Sequence, residues 1–420
     1  MAHPLVDLAA QITKTAKLID NFIDANGHSQ PSFDVDAPTA FPPATEEILA
    51  ARRQLLDASQ AITELLISPA EYLRWFSCRH HDMSSLRWLH HFKIAEAVPL
   101  DGTISFAEIA KRTGVDEDLL KRVLRYAMTN RIFREPEPGL VAHTSVSALL
   151  VRSKSLNDWV GYTCDESYPA SAKLVEAHQK YGNSQKPNES AYGIAFNTDE
   201  PMFTHLARFP SRERRFANTM IEMTSTEGYG VQHLVDGYKW EAVGEATVVD
   251  VGGSTGHASI AIAEKKAPNA TFIVQDLSTV IDQGKKSLPH ELESRFTFQE
   301  HDFFTPQPVS ADIYLLRFIL HDHPDAISQQ IVKSLVPAMK NGSRLIINDG
   351  VLAEPNTLPT IEERISRIMD MEMMTTFNAR ERPLADWVKL CSDADSRLKL
   401  RSVSRPEGSV LSILEFVFDD

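Results

Sequence analysis

The sequence predicts an α/β protein, in which a Rossmann-like parallel-sheet domain follows a helical and winged-helix region. Three observations carry this. Apolar residues keep helical spacing from residue 46 to residue 100. A compact helix, turn, helix and hairpin pattern occupies residues 105–143. From residue 247, strand-like apolar runs alternate with helical ones, as a parallel sheet with crossover helices requires.

A chain of 420 residues exceeds one ordinary domain. The expected divisions are an N-terminal helix and linker (1–45), a helical and winged-helix domain (46–160) and a ligand-binding sheet domain with pocket helices (161–420). Hydrophobic residues make up 43% and charged residues 24%, which excludes a wholly disordered chain. Fifty-seven acidic residues against 43 basic ones give a net charge of -14. Such a chain is repelled by phosphate backbones unless it carries a concentrated basic face, and none is visible, so no nucleic acid partner is expected. The cysteines Cys78, Cys164 and Cys391 are too far apart for a disulfide framework or a zinc site. No run of eighteen apolar residues and no basic-then-apolar leader occurs. The expectation is a cytoplasmic protein with no membrane partner.

Residues 4 to 24 read as an amphipathic helix through Leu5, Leu8, Ile12, Ile19 and Phe22. It either packs on its own fold or reaches a partner subunit. Pro31, Pro38, Pro42 and Pro43 keep the next twenty residues irregular. In the following helical stretch His80-His81 and His90-His91 suggest metal at first sight. Adjacent helix residues point about a quarter-turn or more apart, so neither pair is a natural chelate and no metal is expected.

Ser105 can cap a short helix that Gly114 ends, and Asp116 can cap a second. Residues 131–134 and 140–143 then form a hairpin. This is a winged-helix pattern, but the second helix begins Asp116-Glu117-Asp118, an acidic end unsuited to base contacts. A structural or dimerisation use is the better reading. Residues 150–240 read as mostly helical, broken near 183–190. Beyond them, 247–251, 271–274, 312–316 and 343–347 read as strands, and 258–266 and 327–339 as helices.

The first of these strands runs into Gly252-Gly253-Ser254-Thr255-Gly256 and then a helix. Glycines let a ligand approach the backbone, and the helix start offers free N–H donors. The spacing misses the dinucleotide fingerprint by one position, and Asp250 disfavours a pyrophosphate. Asp276 ends the second strand, where a carboxylate can accept both ribose hydroxyls. Asp302 can bond an adenine amino group while Phe303 covers the ring. In this order the signals describe an adenosyl site.

The same segments, 249–256, 274–277 and 315–322, resemble the class I S-adenosylmethionine-dependent O-methyltransferases, in their fungal secondary-metabolite branch. The resemblance implies a methyltransferase sheet domain, S-adenosyl-L-methionine as cofactor, a small-molecule acceptor and a homodimer built by the N-terminal helices and winged helix. It places Asp349 and Glu381 as the two acids flanking the base, although plant relatives usually carry glutamate at the first of these. It puts Arg317 near the donor, and Met220, Met223, Met373 and Met374 on helices lining the acceptor pocket.

Methyl transfer to a phenol is helped by a base, because a phenol has a pKa near ~10. His321 follows an apolar strand, where sites of open α/β sheets lie, and its neighbours Asp322, His323, Pro324 and Asp325 are too polar for a core. The expected reaction is transfer of a methyl group to a hydroxyl of an aromatic or polyketide-derived molecule, with His321 as base. The alternative is an enzyme of this fold that holds the donor only as a positive charge and rearranges or dehydrates its substrate, with Arg317 and His143 polarising a carbonyl. A winged-helix DNA-binding regulator is the third reading, disfavoured by charge.

Overall fold

The Ser105 hydroxyl accepts the Glu108 N–H at 3.2 Å and starts the helix Phe106–Thr113, which Gly114 ends at φ +71. Asp116 then accepts the N–H groups of Asp118 and Leu119, both at 3.0 Å, and starts Glu117–Thr129. Three short strands follow the winged-helix pattern. They are β1 (Ile104–Ser105), β2 (Arg134–Glu137) and β3 (Leu140–Ala142), antiparallel in the order β1-β3-β2. Phe106, Ile109, Leu120, Leu124, Phe133 and Val141 are nearly solvent-free and form the core of this element.

This computed structural model describes residues 3–419. The chain divides into two units that interleave in sequence. The first runs through Pro169 and takes in Pro210–Glu222 and Pro355–Arg364. The second comprises Ala170–Phe209, Met223–Glu354 and the chain from Ile365 on.

In the first unit the helix Pro4–Ala25 packs through Ile19 and Ile23 against Ala51 of the helix Glu46–Leu66. The proline-rich linker is irregular and is tied down by ion pairs, Asp34 with Arg134 at 3.2 Å and Asp36 with Arg152 at 2.9 Å. The paired histidines are explained by local packing. His80 and His81 lie ring against ring at 4.1 Å, and a Cβ added at Gly161 would meet His90 Cε1 at 2.7 Å. Glu166, 2% exposed, is paired with both Arg212 and Arg215.

The second unit is built on β4 (Thr247–Val251), β5 (Thr271–Asp276), β6 (Phe296–Glu300), β7 (Ile313–Arg317), β8 (Arg344–Leu352), β10 (Leu398–Ser404) and β11 (Leu411–Phe418). A two-residue β9 (Arg382–Pro383) lies along the end of β8. The order is β10-β11-β8-β7-β4-β5-β6, parallel from β8 to β6 and antiparallel at β10 and β11. Side chains alternate between two cores. Val248, Leu315 and Ile346 face one layer, while Val249, Leu316 and Ile347 face the other. The strand order reverses between β4 and β7, so a crevice opens at their carboxyl ends, just beyond Val251 and Arg317. Strands β6, β10 and β11 were not among those the sequence pattern marked.

Candidate active site

The crevice begins with a loop that favours glycine. Gly252 lies at φ +68, and a Cβ there would meet Ile319 Cδ1 at 2.6 Å. At Gly253 a Cβ would sit 2.5 Å from Asp250 Cγ. Asp250 is 2% exposed and accepts the Ser259 hydroxyl at 2.6 Å, and burial pushes its pKa up to about 6. The loop is bound to the next strand as well. Asp276 Oδ2 accepts the Ser254 N–H at 2.8 Å and its Oδ1 accepts the Leu277 N–H at 2.7 Å. Each oxygen keeps a further lone pair for a ligand hydroxyl. Burial raises the Asp276 pKa.

Asp302 follows β6 and caps its own turn, accepting the Phe304 N–H at 3.0 Å. Phe303, Phe304 and His323 form an aromatic group with centroids 4.8 to 5.9 Å apart. Arg317, at the end of β7, is 9% exposed. Its Nε donates to Asn348 Oδ1 at 3.0 Å and its Nη2 to the Tyr229 carbonyl at 2.8 Å. Burial lowers its pKa to about 10, against the pull of Asp250 and Asp349.

His321 lies on a one-turn helix, Leu320–Asp322, and is 5% exposed. Its Nδ1 donates to Glu381 Oε1 at 2.8 Å, and its Nε2 is 3.5 Å from Asp322 Oδ1. Burial opposes a charge on the ring. The carboxylates of Asp322, Glu381 and Asp349 outweigh burial and hold its pKa well above the ordinary 6.5. The acids pay in turn: burial lifts Asp322 to about 6 and Asp349 to about 7. Asp349 on β8 is solvent-free, and among the described residues neither of its carboxylate oxygens has a hydrogen-bond partner. The structure thus gathers His321, Glu381 and Asp349 around one point, with no direct bond from Asp349 to the ring.

Two residues that sequence reasoning missed complete the arrangement. Asp322 faces the free ring nitrogen of His321. Arg382, 0% exposed, clamps the turn from behind. Its Nη1 donates to the Leu320 carbonyl at 2.9 Å, its Nη2 to the His323 carbonyl at 2.8 Å, and its Nε to Asp325 at 2.8 Å. A second basic residue beside Glu381 was the only sequence signal for it.

The predicted acceptor residues fare differently. Met223 and Met373 are buried in the second unit at 8% and 5% exposure, and Met373 opens a π-helical segment, Met373–Phe377, of the kind common at functional sites. Met220 belongs to the first unit and is half-buried. His143 is a correction. Its Nε2 faces the Ala95 and Val98 carbonyls at 3.2 Å, its Nδ1 faces the Ser147 hydroxyl at 2.9 Å, and it is 1% exposed. Both ring nitrogens are spent inside the winged-helix core, so it offers nothing to a ligand.

Residues 172–396 match the O-methyltransferase domain family and residues 77–153 the O-methyltransferase dimerisation domain. The O-methyltransferase pgmB of Aspergillus terreus is 42% identical over 98% of this chain and 95% of its own length. The chain belongs to the O-methyltransferase family. The methyltransferase is also 40% identical to the O-methyltransferase VdtC of Byssochlamys spectabilis, over 99% of this chain and 98% of that one. Among solved structures it shares its fold with OxaC, at a TM-score of 0.79 and 21% identity over 99% of both chains. The complex of LepI with SAM gives a TM-score of 0.73 at 24% identity, over 98% of this chain and 100% of that one.

The methyltransferase is an S-adenosyl-L-methionine-dependent enzyme of the fungal secondary-metabolite branch, and its dimerisation domain makes it a homodimer. The residues present fit that cofactor. The glycine loop leaves no room for a Cβ, and Asp276 closes the carboxyl end of β5 with a lone pair on each oxygen for a ligand hydroxyl.

Proposed function

We propose that the methyltransferase transfers the methyl group to a phenolic hydroxyl of an aromatic, polyketide-derived small molecule, with His321 as general base. The observation that carries this is the buried His321–Glu381 hydrogen bond at 2.8 Å, set at the carboxyl end of β7 beside the glycine loop. A relative named for such work is the chlorophenol O-methyltransferase of Trichoderma longibrachiatum, 36% identical over 98% of this chain and 90% of that one.

The cofactor supplies an activated methyl group on a sulfonium, so the chain's task is to hold and align it and to manage one proton. Gly252, Gly253, Asp276, Asp302, Phe303 and Arg317 hold the donor. Glu381 fixes the imidazole with Nδ1 protonated, which leaves Nε2 to take the acceptor's proton. The surrounding carboxylates bring the ring's proton affinity toward that of a phenol, where transfer is close to thermoneutral. Asp349 and Asp322 then stabilise the imidazolium. Alignment contributes ~7–11 kcal/mol and base action about 100- to 10,000-fold. Met223 and Met373 line the acceptor pocket, where thioethers suit a flat apolar ring. The enzyme works in the cytoplasm. No described helix is long and apolar enough to cross a membrane, and the three cysteines are free.

The test is labelled methyl transfer to a panel of phenols by wild type and His321→Ala, with S-adenosylhomocysteine binding measured by calorimetry. Loss of turnover with retained binding supports the reading, and equal rates remove it. Accumulation of S-adenosylhomocysteine during turnover separates methyl transfer from a purely electrostatic use of the donor.

A further inference from the structure

Phe318 lies in the left-handed backbone region at φ +56. A bulky side chain is strained there, while glycine or asparagine is at ease. Strain of this kind persists where the surroundings enforce it, and it clusters at functional sites. Phe318 stands between Arg317, the last residue of β7, and the turn Leu320–Asp322 that carries His321.

Its ring touches functional groups on both sides. Arg317 Cζ sits 4.5 Å from the ring centroid, a cation–π contact. The imidazole of His321 lies 5.5 Å away, centroid to centroid, inclined at 43°. The Tyr229 ring is 6.1 Å off at 32°, and the Tyr229 carbonyl accepts from Arg317 at 2.8 Å. The Phe318 N–H donates to the Asn348 carbonyl at 3.4 Å, and the Asn348 side chain accepts from Arg317 at 3.0 Å. The next residue, Ile319, fills the space where a Cβ on Gly252 would go. A requirement for the backbone turn alone would be met with less strain by glycine or asparagine, so the ring has to be needed for its contacts.

We propose that Phe318 is a positioning residue, whose ring holds the Arg317 guanidinium and the His321 imidazole in fixed relation across the carboxyl end of β7. The inference rests on the assignment of His321 as base. The ring also keeps water from the imidazole on its Phe318 side, which preserves the influence of the three carboxylates on it.

Phe318→Asn and Phe318→Gly keep the backbone turn and remove the ring, while Phe318→Tyr keeps the ring. Misplacement of a catalytic group by an ångström costs on the order of 100-fold, so the two ringless variants are expected to lose about that in kcat, with acceptor KM little changed. They also bind S-adenosylhomocysteine more weakly in calorimetry, as Arg317 loosens. The acid limb of their kcat/KM profile moves down toward pH 6.5 as water screens the carboxylates. Phe318→Tyr restores rate, affinity and profile. Phe318→Gly decides the matter if Phe318→Asn melts too low to assay, because glycine relieves the strain. A folded ringless variant with wild-type kcat and an unmoved acid limb overturns the proposal, as does a Phe318→Tyr variant as impaired as the ringless ones. His321→Asn is run beside them. If it turns over normally, the assignment of the base fails, and the donor affinities of the Phe318 variants still report on Arg317 alone.

Discussion

The Nδ1–H of His321 donates to Glu381 Oε1 across 2.8 Å, with His321 5% and Glu381 4% exposed. A bond this dry fixes both the tautomer and the ring plane, and it leaves Nε2 as the only nitrogen able to receive a proton. Glu381→Gln keeps the shape but lets the amide donate, which favours the wrong tautomer. A loss of about 100-fold in kcat is expected, with S-adenosylhomocysteine affinity unchanged by calorimetry. A Glu381→Gln enzyme with normal kcat would remove Glu381 from the reaction.

The pH dependence follows from the charges around the ring. Burial works against protonation of His321, but Asp322, Glu381 and Asp349 raise its pKa above 6.5. The free enzyme therefore holds the imidazole charged at neutral pH, and kcat/KM for the acceptor rises with pH, with its midpoint above 6.5. Stability runs the other way. The folded state binds this proton more tightly than the unfolded one, so the contribution is complete below pH 6.5 and is lost as pH rises through the folded pKa. Asp349, raised from 3.8 to about 7, adds a loss of the same sign between those values. Melting of the cofactor-free protein should fall steadily from pH 6 to pH 9, by about 1 °C for each kcal/mol lost. A shallower fall between pH 7 and pH 9 in His321→Gln than in wild type, with the Asp349 loss below pH 7 retained, is the confirming pair.

Local features were legible in the sequence because local chemistry determines them. Ser105 and Asp116 cap where their side chains can reach the next turn. Gly252 marks a positive φ that other residues resist. The buried runs of β4 and β7 read as strands because both faces are covered, and His321 stood out as a polar break at the end of one of them. What was hidden depends on distant partners. His143 sits in a polar-looking segment, yet its ring is satisfied by carbonyls 45 and 48 residues earlier. Arg382 reaches back 59 and 62 residues to the turn it holds. Strands β10 and β11 form the antiparallel edge, and β10 is largely exposed, so its apolar signal is weak.

The glycine loop gives a packing test. A methyl group at position 253 would lie 2.5 Å from Asp250 Cγ and 2.7 and 2.8 Å from its oxygens. The Asp250 carboxyl cannot yield freely, because it is 2% exposed and bonded to Ser259 at 2.6 Å. Gly253→Ala should therefore cost about 1–3 kcal/mol of stability in urea unfolding. The displaced loop should also weaken S-adenosylhomocysteine by at least about tenfold, equivalent to 1.4 kcal/mol. Wild-type values of both would mean that the loop relaxes without cost.

Arg382 tests whether the base depends on its support from behind. Its guanidinium bridges the carbonyls of Leu320 and His323, which bracket the base, and it pairs with Asp325, whose side chain is 42% exposed. The arginine itself is wholly buried, and burial lowers its pKa. Arg382→Met removes the charged donor from both carbonyls, which keep the Ser328 hydroxyl at 3.0 Å, and should cost about 1.5–3 kcal/mol, the range for hydrogen bonds to a charged group. Asp325→Asn removes only a half-exposed partner and should cost less than about 1 kcal/mol. Since Arg382 touches the turn and not the ring, the milder variant should retain the wild-type kcat/KM profile, while any folded Arg382→Met should lose kcat before it loses donor affinity. Equal costs for the two variants in urea unfolding would show that the ion pair, and not the carbonyl clamp, carries the stability.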